Sequence, residues 1–125
     1  MTENEIGREI VNCAYNVHKK LGPGLLESTY QTCLAHELLE AGLSVYKEAA
    51  LPIVYNDVKL DCGYRLDLWV NNKVIIETKT VDELNDIHLA QILTYLKLTD
   101  NRLGYLINFN VLRIKYGIRR VVNKL

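Results

Sequence analysis

Residues 64–79 read YRLDLWVNNKVIIETK, and this stretch decides the fold. Two strongly apolar runs flank Asn71-Asn72, a pattern that predicts two antiparallel strands joined by a tight connection. Each run carries one acidic residue, Asp67 in the first and Glu77 in the second. An unpaired buried charge costs several kcal/mol, roughly, and a bound cation would offset that cost. Because Mg²⁺ favours oxygen ligands, the two carboxylates predict a magnesium site.

The length of the connection determines whether the two carboxylates meet. A two-residue loop would pair Asp67 with Ile76 and place the two acids on opposite faces of the sheet, since a one-residue slip reverses the pleat. A three-residue loop, residues 71–73, would set Asp67 directly opposite Glu77. A shared site therefore predicts the longer loop or a bulge, with Asn72 or a neighbour at positive φ. The alternative is a surface face on which Asp67 pairs with Arg65 or Lys79.

The rest of the chain supplies helices and strands around this pair. Thr2 and Glu5 form a capping-box pattern before a first helix, and Gly22-Pro23-Gly24 ends it. Helical periodicity predicts further helices at about 26–41 and 84–98. Strand patterns cover 43–50, 53–55, 58–60 and 103–109, and residues 112–122 favour an amphipathic strand or an extended arm. The fold class is therefore α/β or α+β, with a mixed β-sheet flanked by helices.

Size and composition indicate a single domain over residues 1–125. No apolar run is long enough to span a membrane, and the polar, acidic start does not resemble a signal peptide. The three cysteines lack metal-ligand spacing, which predicts reduced thiols in a cytoplasmic protein. The first hundred residues hold all 15 acidic residues against nine basic ones, whereas the last 25 hold six basic residues. This separation suits a protein that binds metal and phosphate at different places, although a solvated or dimer-contacting strand explains it equally well.

Several motifs occur in a recognisable order along the whole chain. Residues 24–30 read GLLESTY, which is GxxExxY, and Asp67 and residues 77–79, which read ETK, follow. Gln91 and Tyr95 then form QxxxY on the third helix. From about residue 5 to residue 122 the chain resembles the GxxExxY family, which is placed in the PD-(D/E)xK nuclease superfamily. The position before Asp67 is a leucine where that motif has proline.

The resemblance implies a restriction-endonuclease-like core and a role for each motif residue. Glu27 would project towards the acidic strands, and Asp67 and Glu77 would bind Mg²⁺ or Mn²⁺ with the Thr78 carbonyl as a further ligand. Lys79 would orient or help deprotonate the attacking water. The expected catalytic residues are Glu27, Asp67, Glu77 and Lys79, and the expected metal ligands are Asp67, Glu77, Thr78 and Glu27.

Substrate contacts are expected mainly from the third helix. On its polar stripe His88, Gln91 and Tyr95 lie at i, i+3 and i+7, beside a core side assigned to Leu89, Leu93 and Leu96. A polar stripe is more often a plain solvent face, but this helix starts near the carboxylates. The expected substrate-binding residues are Gln91, Tyr95, Tyr30, Arg65 and His88.

The leading functional hypothesis is a magnesium-dependent phosphodiesterase, a nuclease acting on nucleic acid, with DNA favoured over RNA. The alternative is a non-catalytic nucleic-acid-binding or partner-binding module that retains the nuclease fold. No helix-turn-helix or zinc finger is visible, so specificity would come from a homodimer, a larger protein partner or DNA shape. Cleavage that depends on Mg²⁺ or Mn²⁺ would separate the two hypotheses.

Overall fold

A computed structural model describes residues 1–125. The helices and strands follow in the order α1 Glu3–Leu21, α2 Glu27–Glu40, β1 Val45–Ala50, β2 Ile53–Tyr55, β3 Val58–Leu60, β4 Arg65–Val70, β5 Val74–Lys79, α3 Asp86–Thr99, β6 Leu103–Asn108, a 3₁₀ turn Ile114–Tyr116 and β7 Ile118–Val122. The predicted fold class, a mixed β-sheet flanked by helices, is confirmed. The predicted tail is resolved into the 3₁₀ turn and a true strand, with Gly117 between them.

The main sheet has five strands in the order β1-β4-β5-β6-β7. β5 and β6 run parallel and every other neighbouring pair is antiparallel. A parallel pair requires a crossover, and α3 supplies it. β2 and β3 form a separate hairpin. The carboxyl ends of β5 and β6 therefore share one edge of the sheet, where Lys79 pairs with Asn108.

The helices cover the two faces of this sheet. α1 begins with the expected capping box between Thr2 and Glu5, and it packs with α2 over one face in a cluster of 19 buried residues. A smaller cluster of seven buried residues lies beneath α3 on the opposite face. Apolar burial on both faces explains why β5 and β6 read as nearly continuous hydrophobic runs. No helix is long and apolar enough to cross a membrane.

The β4–β5 connection confirms the predicted register. Val70 pairs with Val74 and Leu68 pairs with Ile76, which leaves a three-residue loop at residues 71–73. Asn71 and Asn72 adopt positive φ values of 51° and 55°. Asparagine tolerates this left-handed region better than most residues, so the sequence suits the turn.

The side chains of β4 do not alternate strictly between the two faces of the sheet. Leu68 and Val70 pack in the large cluster under α1 and α2, whereas Leu66 packs in the smaller cluster under α3. The pairing of β4 with β5 ends at Leu68, so the strand leaves its neighbour just where Asp67 begins. The pleat therefore changes at the acidic residue.

The core side of α3 also differs from the expectation. Its buried residues are Ile92, Tyr95 and Leu96, whereas Leu89 and Leu93 are half-buried. Tyr95 therefore belongs to the core face and not to a solvent stripe. Apolar residues occupy so much of the helix circumference that its period alone leaves the buried face ambiguous.

Candidate functional site

Asp67 and Glu77 lie side by side where β4 and β5 separate. One oxygen of the Asp67 carboxylate, Oδ2, accepts hydrogen bonds from the Thr78 backbone N–H at 2.8 Å and from the Thr78 hydroxyl at 3.0 Å. Asp67 is half-buried and Thr78 is fully buried. These two bonds orient the Asp67 carboxylate against β5. The Thr78 carbonyl remains an expected metal ligand.

Glu77 is the most unusual residue of the site. Its side chain is only 4% exposed, and its Oε1 is buried without a hydrogen-bond partner. Burial, followed by the charge of Asp67, raises the pKa of Glu77 to about 9. Such a group stays protonated at neutral pH unless a positive charge comes close. An orphaned buried carboxylate oxygen is rare in folded proteins and calls for an unseen partner.

Glu27 reaches the same region from the first turn of α2. Burial raises the pKa of Glu27, Lys79 opposes the rise, and Asp67 and Glu48 add to it. The influence of these charges places the Glu27 carboxylate among the β4 and β5 side chains. This position of α2 therefore faces other carboxylates and not the core.

Tyr30, an expected substrate contact, is a core residue in the structure. Its ring is fully buried and stacks on Phe109 with ring centres 4.7 Å apart. Its hydroxyl donates to the Gly22 carbonyl at 2.5 Å and accepts from the Leu25 N–H at 3.1 Å. The tyrosine therefore fastens the turn that precedes α2, and through it the position of Glu27.

Replacing Tyr30 with phenylalanine is expected to lower the free energy of unfolding by about 1–3 kcal/mol, because the Gly22 carbonyl and the Leu25 N–H lose a partly buried hydrogen-bond partner. Urea denaturation measures this change. Tyr15→Phe is the control, since Tyr15 is 44% exposed. Equal stability of the two variants would show that the hydroxyl does not fasten the turn.

Lys79 follows Glu77 on the same face of β5 and is half-buried. No ion pair within 4.0 Å involves Lys79 or Asp67; the ion pairs in the structure are His36–Glu40 and Arg65–Asp61. The alternative of a surface face on which Asp67 pairs with Arg65 or Lys79 is therefore wrong. The Lys79 ammonium lowers the pKa of both Glu27 and Glu77, which places it near both carboxylates.

Tyr95 and Gln91 line a shallow groove of about 430 Å³ between α3 and the β2–β3 hairpin. Burial, then Glu77, raises the pKa of Tyr95 to about 12, so its phenol remains a neutral donor near the acidic pair. Tyr64 packs edge-on against Tyr95, with ring centres 6.2 Å apart. Gln91 is exposed on the same groove. The QxxxY residues therefore share one groove that has the acidic pair near the Tyr95 end.

His88 and Arg65, both expected substrate contacts, make local contacts in the structure, and their role towards a substrate stays a prediction. His88 Nδ1 accepts from the Asn85 N–H at 3.1 Å and completes a capping box at the start of α3. Arg65 is exposed, donates to the Tyr64 carbonyl at 2.9 Å and pairs with Asp61 at 3.8 Å. Neither residue is joined to the acidic pair by a hydrogen bond or an ion pair.

Sequence reasoning missed Glu48 and Gln31. Glu48 lies in β1 across from Asp67. The residues immediately before and after Glu48 both pair with β4. Gln31 is 5% exposed, and its Nε2 donates to Glu48 Oε1 and to the Asp67 carbonyl, both at 2.9 Å. The signal available in the sequence was a polar residue within the buried stripe of α2.

The donor set fits a divalent cation, although no three His, Cys, Asp or Glu side chains already form a metal cage. Carboxylate oxygens are the ligands that Mg²⁺ and Mn²⁺ prefer, and Mg²⁺ is often held by one or two carboxylates together with substrate phosphate. The orphaned Glu77 Oε1 and the adjacent Asp67 carboxylate meet that description.

Comparison with known proteins identifies the family. No curated protein and no solved structure matches the chain. A family model described as the PD-(D/E)XK nuclease superfamily matches residues 4–121. The five-stranded mixed sheet flanked by three helices agrees with that fold. The narrower GxxExxY assignment remains a prediction. The chain belongs to the PD-(D/E)XK nuclease superfamily.

Proposed function

We propose that this protein is a metal-dependent nuclease that hydrolyses phosphodiester bonds in DNA. Membership in the superfamily supports a nuclease-like function. The observation that carries the proposal is the buried, unpartnered Glu77 Oε1 beside Asp67, followed along β5 by Lys79. A structural carboxylate would have found a partner on folding, because each unpaired buried polar group costs about 1–3 kcal/mol. A site kept at such a cost is typical of function.

Asp67 and Glu77 would hold Mg²⁺ or Mn²⁺, with Glu27 and the Thr78 carbonyl as further ligands. Members of this superfamily typically use divalent ions. When bound, such an ion supplies charge neutralisation at the scissile phosphate and acidifies a water molecule. The protein's part is to hold both carboxylates in place for the ion. The two bonds from Thr78 orient Asp67, and Lys79 favours ionisation of Glu77.

The remaining side chains position the substrate and the water. Lys79, the cationic side chain near both Glu27 and Glu77, would donate hydrogen bonds to the attacking water or to a phosphate oxygen. Tyr95 stays neutral and would donate from its hydroxyl near the same carboxylates. Gln91, on the groove that Tyr95 lines, would contact the substrate backbone. The side chains would thus act by positioning and by electrostatic stabilisation.

The acidic site needs positive charge elsewhere to attract a polyanion. The last 25 residues carry six basic side chains and no acidic one. Arg113 and Lys115 are exposed in the segment between β6 and β7, which starts where the Phe109 N–H donates to the Lys79 carbonyl at 3.0 Å. This segment is therefore anchored beside the acidic strands and would contact phosphates.

Purified protein is expected to cleave at least one member of a panel of single-stranded, duplex and branched DNA when Mg²⁺ or Mn²⁺ is present. Cleavage should cease with EDTA, since the carboxylates alone supply no Lewis acid. Product formation on denaturing gels measures it, and Ca²⁺ serves as a control for binding without turnover. DNA binding without cleavage by either ion would instead favour a non-catalytic module that keeps the nuclease fold.

A further inference from the structure

We propose that Glu48 is a fourth carboxylate of the acidic site, with Gln31 as the positioning residue that ties it to Asp67. The inference rests on the proposed metal-dependent function. Glu48 would raise the affinity of the site for a divalent cation, either directly or through a bound water. Three separate observations support it.

The first observation is the backbone of Glu48. It has a φ of 54° inside β1, although the residues on both sides of it pair regularly with β4. Residues other than Gly, Asn and Asp rarely adopt this left-handed conformation. Glu48 lies within a strand, where no turn requires it. Strain of this kind persists where the surrounding structure enforces it, and it is found mostly at functional sites.

The second observation is the amide of Gln31. Its two Nε2 hydrogens are divided between the Glu48 carboxylate and the Asp67 carbonyl, each at 2.9 Å. One buried side chain thus joins α2, β1 and β4 at the point where the pleat of β4 changes. A glutamine serving only the fold could satisfy its amide on backbone groups. Here one of its two hydrogens binds the carboxylate of Glu48, which is exposed, and the other binds the Asp67 backbone.

The third observation is the surroundings that this contact creates. Gln31 ties the Glu48 carboxylate to the backbone of Asp67, and the Asp67 carboxylate in turn accepts from Thr78, the neighbour of Glu77. The buried Glu77 Oε1 has no partner within the same group. Carboxylates from β1, β4 and β5 therefore lie in one part of the fold, although no three of them already form a metal cage. A divalent cation would favour the ionised forms of these groups.

Calorimetric titration with Mn²⁺ alone tests the proposal without reference to cleavage. Glu48→Gln keeps an oxygen for the Gln31 amide and removes only the charge, so we expect Mn²⁺ binding to weaken about tenfold or more. Gln31→Met keeps the size and removes both hydrogen bonds, and it should weaken Mn²⁺ binding in the same direction. Glu40→Gln is the control, because Glu40 is a carboxylate at the far end of α2 whose side chain is 71% exposed and pairs only with His36.

Glu48→Gly separates a site role from a structural one. Glycine adopts positive φ without strain, so the Tm of this variant should equal or exceed that of the wild type while its Mn²⁺ binding weakens. A lower Tm with unchanged Mn²⁺ binding would assign Glu48 to the fold and overturn the proposal. In cleavage assays, the Mn²⁺ concentration for half-maximal rate should rise in Glu48→Gln, whereas the rate at saturating Mn²⁺ should stay within a few fold.

The outcomes distinguish this proposal from the proposed function. If Glu77→Ala loses Mn²⁺ binding but Glu48→Gln binds as tightly as Glu40→Gln, the role of Glu48 is refuted and the nuclease proposal stands. If the wild type binds no Mn²⁺, both fail.

Discussion

Replacing Glu77 with glutamine is expected to raise the Tm of the metal-free protein at pH 8 and to abolish metal-dependent cleavage. The substitution keeps the shape of a side chain that is 4% exposed. It removes the cost of holding a proton that the unfolded chain releases at this pH, and its amide can donate to the Asp67 carboxylate. It also removes one of the two central oxygen donors for a cation. Opposite changes in stability and activity at one residue are typical of a functional site.

The pH dependence of this effect has a definite sign. The pKa of Glu77 is about 9 in the folded protein, against an ordinary value of 4.5. Between these two values the folded chain holds a proton that the unfolded chain has released. The free energy of unfolding therefore falls as pH rises through this window, by at most about 1.4 kcal/mol per pH unit. Below the ordinary value the two states bind the proton equally and the contribution is constant.

Thermal melts from pH 5 to pH 9 in EDTA measure this contribution. The wild type should lose stability across the range, and Glu77→Gln should show a flatter profile and a Tm about 5–10 °C higher at pH 8. Mn²⁺ should raise the Tm of the wild type at pH 8 and leave the variant unchanged, because ligand binding to the folded state stabilises it by mass action. Parallel pH profiles for the two proteins would contradict the assignment of a buried, protonated Glu77.

The juxtaposition of Asp67 and Glu77 could be predicted from the sequence because it depends on one quantity, the length of the β4–β5 loop. If Asp67 and Glu77 share a site, the pleat allows only certain loops, and the Asn71-Asn72 turn satisfies that constraint. The helix boundaries were equally accessible, since capping residues and glycines mark them locally. The five-stranded order could not be read in the same way, because strand neighbours depend on contacts that are distant in sequence.

The remaining site residues were hidden for different physical reasons. The sequence around Glu48 gives no sign of a left-handed backbone. Tertiary contacts impose that conformation, so it appears only in the structure. Gln31 follows Tyr30 on α2 and looks like a minor polar interruption of a core stripe. Tyr30 belongs to the GxxExxY motif. A motif indicates that a residue is important, but it does not show whether that residue binds substrate or stabilises a turn. Only the stacking on Phe109 distinguishes these roles.

Replacing Lys79 with methionine is expected to reduce the single-turnover cleavage rate by about 10²–10⁴-fold while the protein stays folded and binds Mn²⁺. Methionine matches the stem of the half-buried lysine, and no ion pair within 4.0 Å is lost. The loss of a positive charge that repels a dication offsets the rise in the pKa of Glu77 that the same loss causes, so Mn²⁺ binding should change little. The defect should therefore appear in the rate at saturating metal and not in the metal concentration required.

Lys73→Met is the matched control, since Lys73 is an exposed lysine on the loop before the same strand and donates only to the Met1 carbonyl. Its rate should remain within about twofold of the wild type, because surface substitutions away from the site have small effects. Lys79→Arg keeps the charge but changes the donor geometry. A cleavage rate between those of Lys79→Met and the wild type would show that both the charge near Glu77 and the position of the donor contribute to the rate. A Lys79→Met rate close to that of Lys73→Met would remove lysine from the proposed chemistry and leave the carboxylates and the cation to account for cleavage.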